Sequence, residues 1–180
     1  RYLPEATNPL VGPTRTLEGY YDSHFAGITG VGKDSGELPP SHPRAGVFNY
    51  RHAVRRSDVK DGLSNTIAVL GVEKGLGPWA AGGKGTARAL TQSPYVNGPD
   101  GFGSTMADGM LATMADGSVR FVRKDIDPRV LEQLATIAGG EPVTVDLLDS
   151  TRKSPENPRP DRNDGTSNAQ REPIEIPTLG

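Results

Sequence analysis

No cysteine occurs in the 180 residues, which excludes disulfide staples, thiolate chemistry and cysteine-bound zinc. No apolar run approaches the roughly 18 residues that a membrane-crossing helix needs, and nothing in the chain has the build of a signal peptide. Hydrophobic residues make up only 34% of the chain, too few for a large core. The formal charge of −2 supplies no field that would recruit nucleic acid or an anionic membrane. Only one tryptophan, Trp79, is present.

What the chain has instead is turn chemistry. Gly (23) and Pro (16) together exceed a fifth of the residues, which predicts many turns, long Gly/Pro-rich loops and a small core. The length allows one domain of common size with an appendage.

The best-organised stretch runs from Gly101 to Val145. Met110-Leu111-Ala112-Thr113-Met114 and Ser118-Val119-Arg120-Phe121-Val122 flank Asp116-Gly117, a pair that tolerates positive φ and so suits a tight hairpin turn. Alternation places Val119 and Phe121 on one face and Ser118, Arg120 and Val122 on the other. A helix is predicted next, over about residues 128–138. Asp127 caps it, Pro128 sits where a missing N–H costs nothing, and Gly139-Gly140 end it. Val130, Leu131, Leu134, Ile137 and Ala138 form its apolar stripe. A helix this short needs docking, and the hairpin sheet is the expected platform.

Elsewhere the signals are sparser. Residues 20–32 mix aromatics with small residues and are read as a short strand or a packed loop. Lys33 to Ala45 is a surface loop with Pro39, Pro40 and Pro43, and Val47 to Tyr50 is a strand candidate. A turn at Asp61-Gly62 opens a stretch to Glu73 whose β-prone run has Ile67, Val69 and Gly71 expected on one face of a central or covered strand. Residues 74–100 return to loop composition, with Trp79 expected to cover part of the loop or small core. Val143 to Leu148 is an edge-strand candidate. Two units follow: a head over 1–148 and an extended Pro/Asn/Arg-rich tail over 149–180.

Little catalytic chemistry assembles. His24, His42 and His52 are spaced by 18 and 10 residues, which matches no short zinc pattern. No serine lies in a Gly-x-Ser-x-Gly elbow. In Gly82-Gly83-Lys84-Gly85-Thr86 the lysine precedes a glycine, unlike a phosphate loop, so a flexible loop is expected. Asp100, Asp108 and Asp125 are calcium candidates, should loops bring them together. Asp116 and Asp127 need no metal, being turn and cap residues. Asp161-Arg162-Asn163-Asp164-Gly165 begins like a calcium loop, but its glycine comes one residue early. Arg51, Arg55 and Arg56 lack stacking aromatics beyond Tyr50, so nucleic acid is not expected as a partner.

Two segments together resemble a known family. Asp61-Gly62-Leu63-Ser64-Asn65-Thr66 is similar to its internal signature. Ala115-Asp116-Gly117-Ser118-Val119-Arg120-Phe121 with Ile126-Asp127-Pro128 is similar to its C-terminal one. The family is the large prepilin-like set of unknown function expanded in planctomycete bacteria and marked by a C-terminal His-X9-Asp-Gly motif. The resemblance covers roughly residues 20–148. It implies an α+β, pilin-like head with a small antiparallel sheet, and structural-motif roles for Asp61, Gly62, Ser64, Asn65, Thr66, Asp116, Gly117, Phe121, Asp127 and Pro128. It also implies location at the cell envelope, on the periplasmic or extracellular face, through an upstream helix not included in this chain. One departure stands out: the position ten residues before Asp116, where the family has histidine, is Met106.

The function expected from these readings is a non-enzymatic structural or assembly subunit of a pseudopilin-like or envelope-associated complex, with protein partners and the tail 149–180 docked on a neighbour. No cofactor is expected beyond calcium at the three aspartates. The alternative is an extracytoplasmic binding module, calcium-stabilised or carbohydrate-directed, with Trp79 and Tyr95 at its surface.

Overall fold

A computed structural model describes residues 21–140 together with Leu148. Within them lie four short 3-10 turns, five strands and one α-helix with both ends described: β1 (Phe25–Val31), β2 (Ile67–Gly71), β3 (Ala87–Leu90), β4 (Gly109–Met114), β5 (Val119–Arg123) and α1 (Pro128–Leu134). The strands form one sheet in the order β3-β1-β2-β4-β5. All neighbours are antiparallel except β1 and β3, which run parallel. The fold is therefore α+β, with a mixed rather than purely antiparallel sheet. The parallel pair arises because β3 follows β2 in sequence yet adds to the far edge of β1. That edge strand comes from the 74–100 stretch that composition assigns to loop.

The predicted hairpin is present. Thr113 pairs with Val119 and Leu111 with Phe121. The Gly117 N–H donates to Met114 O at 3.0 Å, and Gly117 has a φ of +88°, the conformation for which a residue without Cβ is suited. Ser118 donates from N and Oγ to Asp116 Oδ1 at 2.8 and 2.7 Å, so the aspartate closes its own turn.

The core lies on one face of the sheet. Ala26, Ile28, Leu70, Met110, Ala112 and Val122 point into it, joined by Leu131, Leu134 and Ala135 from α1 and its end. Fully burying a leucine of this kind contributes about 1.5–3 kcal/mol, which explains how so short a helix is held. The strand β2 is central, as expected, but its alternation breaks. A register shift between Ile67 and Val69 lets Ile67 and Leu70 both reach the buried side while Val69 faces the other way.

Two further expectations are corrected. Val47 to Tyr50 is not a strand. The Phe48 N–H reaches Ile28 O at 2.9 Å, the Gly46 N–H reaches Thr29 O at 2.9 Å, and the only ladder contact here is a bridge between Gly30 and Ala45. The helix α1 also stops at Leu134 rather than near 138. Its next turn is pulled open because Ile137 is recruited elsewhere: its N–H donates to Ala45 O at 2.9 Å, and its carbonyl accepts from Lys60 and Asp61 at 2.6 and 3.3 Å. Ile137 is still fully buried, so the apolar period marks burial correctly one turn beyond the helix. Of the proposed edge strand Val143–Leu148, only Leu148 lies among the described residues; it is helical and buried. The tail lies outside them. No helix among the described residues is long and apolar enough to cross a membrane.

Candidate functional site

The segment 61–66 touches both the hairpin turn and the chain that leaves α1. Asp61 Oδ2 accepts from the Gly139 N–H at 2.8 Å and Oδ1 from the Gly140 N–H at 3.1 Å. At the other end of the same segment, the Ala115 N–H donates to Thr66 O at 2.7 Å and the Asp116 N–H to Leu63 O at 3.2 Å. The segment is rigid in itself. Thr66 Oγ1 donates to Gly62 O at 3.0 Å and Asn65 Nδ2 to Asp61 O at 3.3 Å, while the Asn65 N–H reaches Gly62 O at 3.0 Å. Residues 61–66 thus form a brace between the hairpin turn and the chain leaving α1. Ser64 is exposed.

The calcium candidates do not converge. Asp100 accepts from Thr91 N and Oγ1 and from Gln92 N. Asp125 is bound by Arg123 through two contacts of 2.9 Å, which hold its carboxyl below the ordinary range, and Asp108 faces Lys124 at 3.8 Å. Among the described residues no group of three or more His, Asp or Glu is placed to hold a metal. Each carboxylate is drawn instead to its own local donors. Asp127 Oδ1 accepts from the Arg129 N–H at 2.9 Å, and Pro128 opens α1.

The proposed Trp79–Tyr95 surface does not form. Trp79 is 57% exposed instead of covering core, whereas Tyr95 is 6% exposed and donates its hydroxyl to Glu132. Burial, then that carboxylate, push the Tyr95 phenol upward from its ordinary value. Tyr95 is a core residue that ties the 91–100 loop to α1. The histidines are scattered: His24 is buried just before β1, His42 Nδ1 accepts from the Arg44 N–H at 3.1 Å, and His52 is exposed. Met106 is half-buried, with its N–H donating to Ser104 Oγ at 3.1 Å.

Two surface features remain. The first is the sheet face opposite α1. Register places Phe25, Val69, Leu111, Thr113, Val119 and Phe121 on it together, and Phe48 covers Gly27, where an added Cβ would sit 2.6 Å from the ring. Phe25 (42%), Phe48 (41%), Val119 (60%) and Phe121 (36%) are exposed. The second is a cleft of about 530 Å³ between β3 and the loops around it, lined by Lys33, Tyr50, Lys84, Arg88, Thr91 and Asp100 among others. Sequence alternation groups Val119 with Phe121 but carries no signal that their face is the open one. Nothing in the sequence brings Lys33 near Arg88, since the cleft depends on the unexpected β1–β3 pair.

No family model, curated protein or solved structure matches the chain.

Proposed function

We propose that the chain is a non-enzymatic structural subunit of a pseudopilin-like, envelope-associated assembly, contacting neighbouring subunits through the sheet face opposite α1. The observation that carries this reading is the group of exposed Phe25, Phe48, Val119 and Phe121 on that face. Large apolar side chains scattered singly need no explanation, but several on one face are a feature of interaction surfaces. The carboxylates singled out by the sequence are engaged in turns, caps and local ion pairs, which suits a scaffold. The tail 149–180 then docks on a neighbouring subunit, and an upstream helix supplies the membrane attachment.

Sedimentation velocity over a range of concentrations tests the contact face. The intact chain self-associates, and Phe25→Ser with Phe121→Ser returns it to monomer with the fold retained by circular dichroism. A chain that stays monomeric at millimolar concentration, or a double variant that associates as before, removes the reading. Comparison with a chain ending at residue 148 separates the tail's share from that of the face.

A further inference from the structure

The cleft beside β3 carries more positive charge than its own residues neutralise. Lys33, Lys84 and Arg88 line it, against the single carboxylate of Asp100. Both Asp100 oxygens already accept hydrogen bonds from Thr91, with Gln92 adding another.

Arg88 cannot swing away from this site. Its Nε donates to Lys84 O at 3.0 Å, Nη1 to Lys74 O and Asp100 O at 3.0 and 3.1 Å, and Nη2 to Gly75 O at 2.7 Å. Its guanidinium carbon lies 6.0 Å from the centre of the Phe102 ring. These partners are neutral, and no carboxylate lies within ion-pair distance of Arg88 among the described residues. Burial pulls its pKa down from the ordinary arginine value, and the field of Asp100 offsets this only in part, as expected for a cation deprived of water.

The surroundings leave room above that floor. Tyr50 donates its hydroxyl to Ala87 O at 2.6 Å, which fixes one side. Gly75, Gly77, Gly82 and Gly85 contribute lining without side chains. Gly77 and Gly85 approach so closely that a Cβ on Gly77 would meet the Gly85 Cα at 3.0 Å. Lys33, which follows β1, and Lys84, on the glycine loop before β3, are both exposed. The volume of about 530 Å³ lies within the range of small-molecule sites.

We infer that this cleft binds a small organic anion, recognised through a carboxylate or phosphate group by Lys33 and Lys84 over the Arg88 floor. This goes beyond assembly through the sheet face and does not depend on it.

Amide NMR titrations of the full chain at low ionic strength test it, with citrate, inorganic phosphate and, as a neutral control, glucose. Saturable shifts at Lys33, Lys84, Gly85 and Thr91 are expected with citrate, phosphate or both, and not with glucose. The responding probe identifies the acidic group. The double variant Lys33→Gln, Lys84→Gln changes only exposed side chains and leaves the Arg88 bonds intact. It should weaken binding about tenfold or more, and added salt should weaken it in the parent. Absence of saturable shifts with both anions up to about 20 mM, equal response to glucose, or equal affinity in the double variant would overturn the assignment.

Discussion

Asp61 holds Gly139: the carboxylate that opens the 61–66 segment accepts a backbone N–H 78 residues away, at 2.8 Å, and its second oxygen takes the Gly140 N–H at 3.1 Å. Charge-assisted bonds of this kind exceed neutral ones, and their partial exposure moderates the gain. Asp61→Ala is expected to cost about 1.5 kcal/mol of stability, and Asp61→Asn less, because the amide oxygen can still accept one N–H. Urea unfolding measures the change, and hydrogen exchange should show lost protection at Gly139 and Gly140. Equal stability in all three proteins would mean that the brace contributes nothing to folding.

Gly46 sits where two backbones nearly touch. A Cβ there would come within 2.4 Å of Gly30 N and 2.6 Å of Ile28 O, atoms that cannot move without opening β1. Gly46→Ala is therefore expected to destabilise by more than about 3 kcal/mol. Gly140→Ala is the contrast: φ is +75° but no atom lies within 4 Å of the added methyl, so only conformational strain of about 1 kcal/mol applies. Thermal melts of the two variants side by side should show this order.

How much was legible follows from the range of the forces involved. Asp116-Gly117 and Asp127-Pro128 announce a turn and a helix start because their chemistry acts within a few residues, and both lie where expected. The brace by Asp61 was legible only as a motif, since its partners are far along the chain. The early end of α1 was invisible because Lys60, Asp61 and Ala45 compete for the Ile137 backbone, a contest that no local period records. The strand β3 was missed for a similar reason: Ala87-Arg88-Ala89-Leu90 has weak β propensity and is a strand through its pairing with β1. The cationic cleft beside β3 was lost with it. The aspartates Asp100, Asp108 and Asp125 failed as a calcium set because each found nearer donors.

Asp34 and Arg44 make a two-pronged ion pair at 2.6 and 2.7 Å. Hydrogen bonding to the Arg44 guanidinium lowers the Asp34 carboxyl from 3.8 to about 2. A folded value below the unfolded one means that the pair's contribution is present above about pH 4 and is lost as pH falls through about 2. An NMR titration of the side-chain carboxyl should place the Asp34 midpoint near 2, and Arg44→Gln should raise it toward the ordinary value. A midpoint at 3.8 in the parent protein would deny the pair in solution. Both side chains are well exposed, so salt should weaken the effect.

The helix α1 tests whether capping or docking holds this corner together. With seven residues it is too short to persist alone in water, so its stability comes from the face it buries. Leu131 and Leu134 are completely buried against the sheet. Leu131→Ala removes apolar contact and leaves a cavity, which costs about 2–5 kcal/mol. Asp127→Ala removes one cap bond to the Arg129 N–H, a loss of about 1 kcal/mol. Chemical denaturation should therefore place Leu131→Ala well below Asp127→Ala in stability. The reverse order would mean that α1 is held from its N-terminal end, and that the buried stripe contributes less than its burial implies.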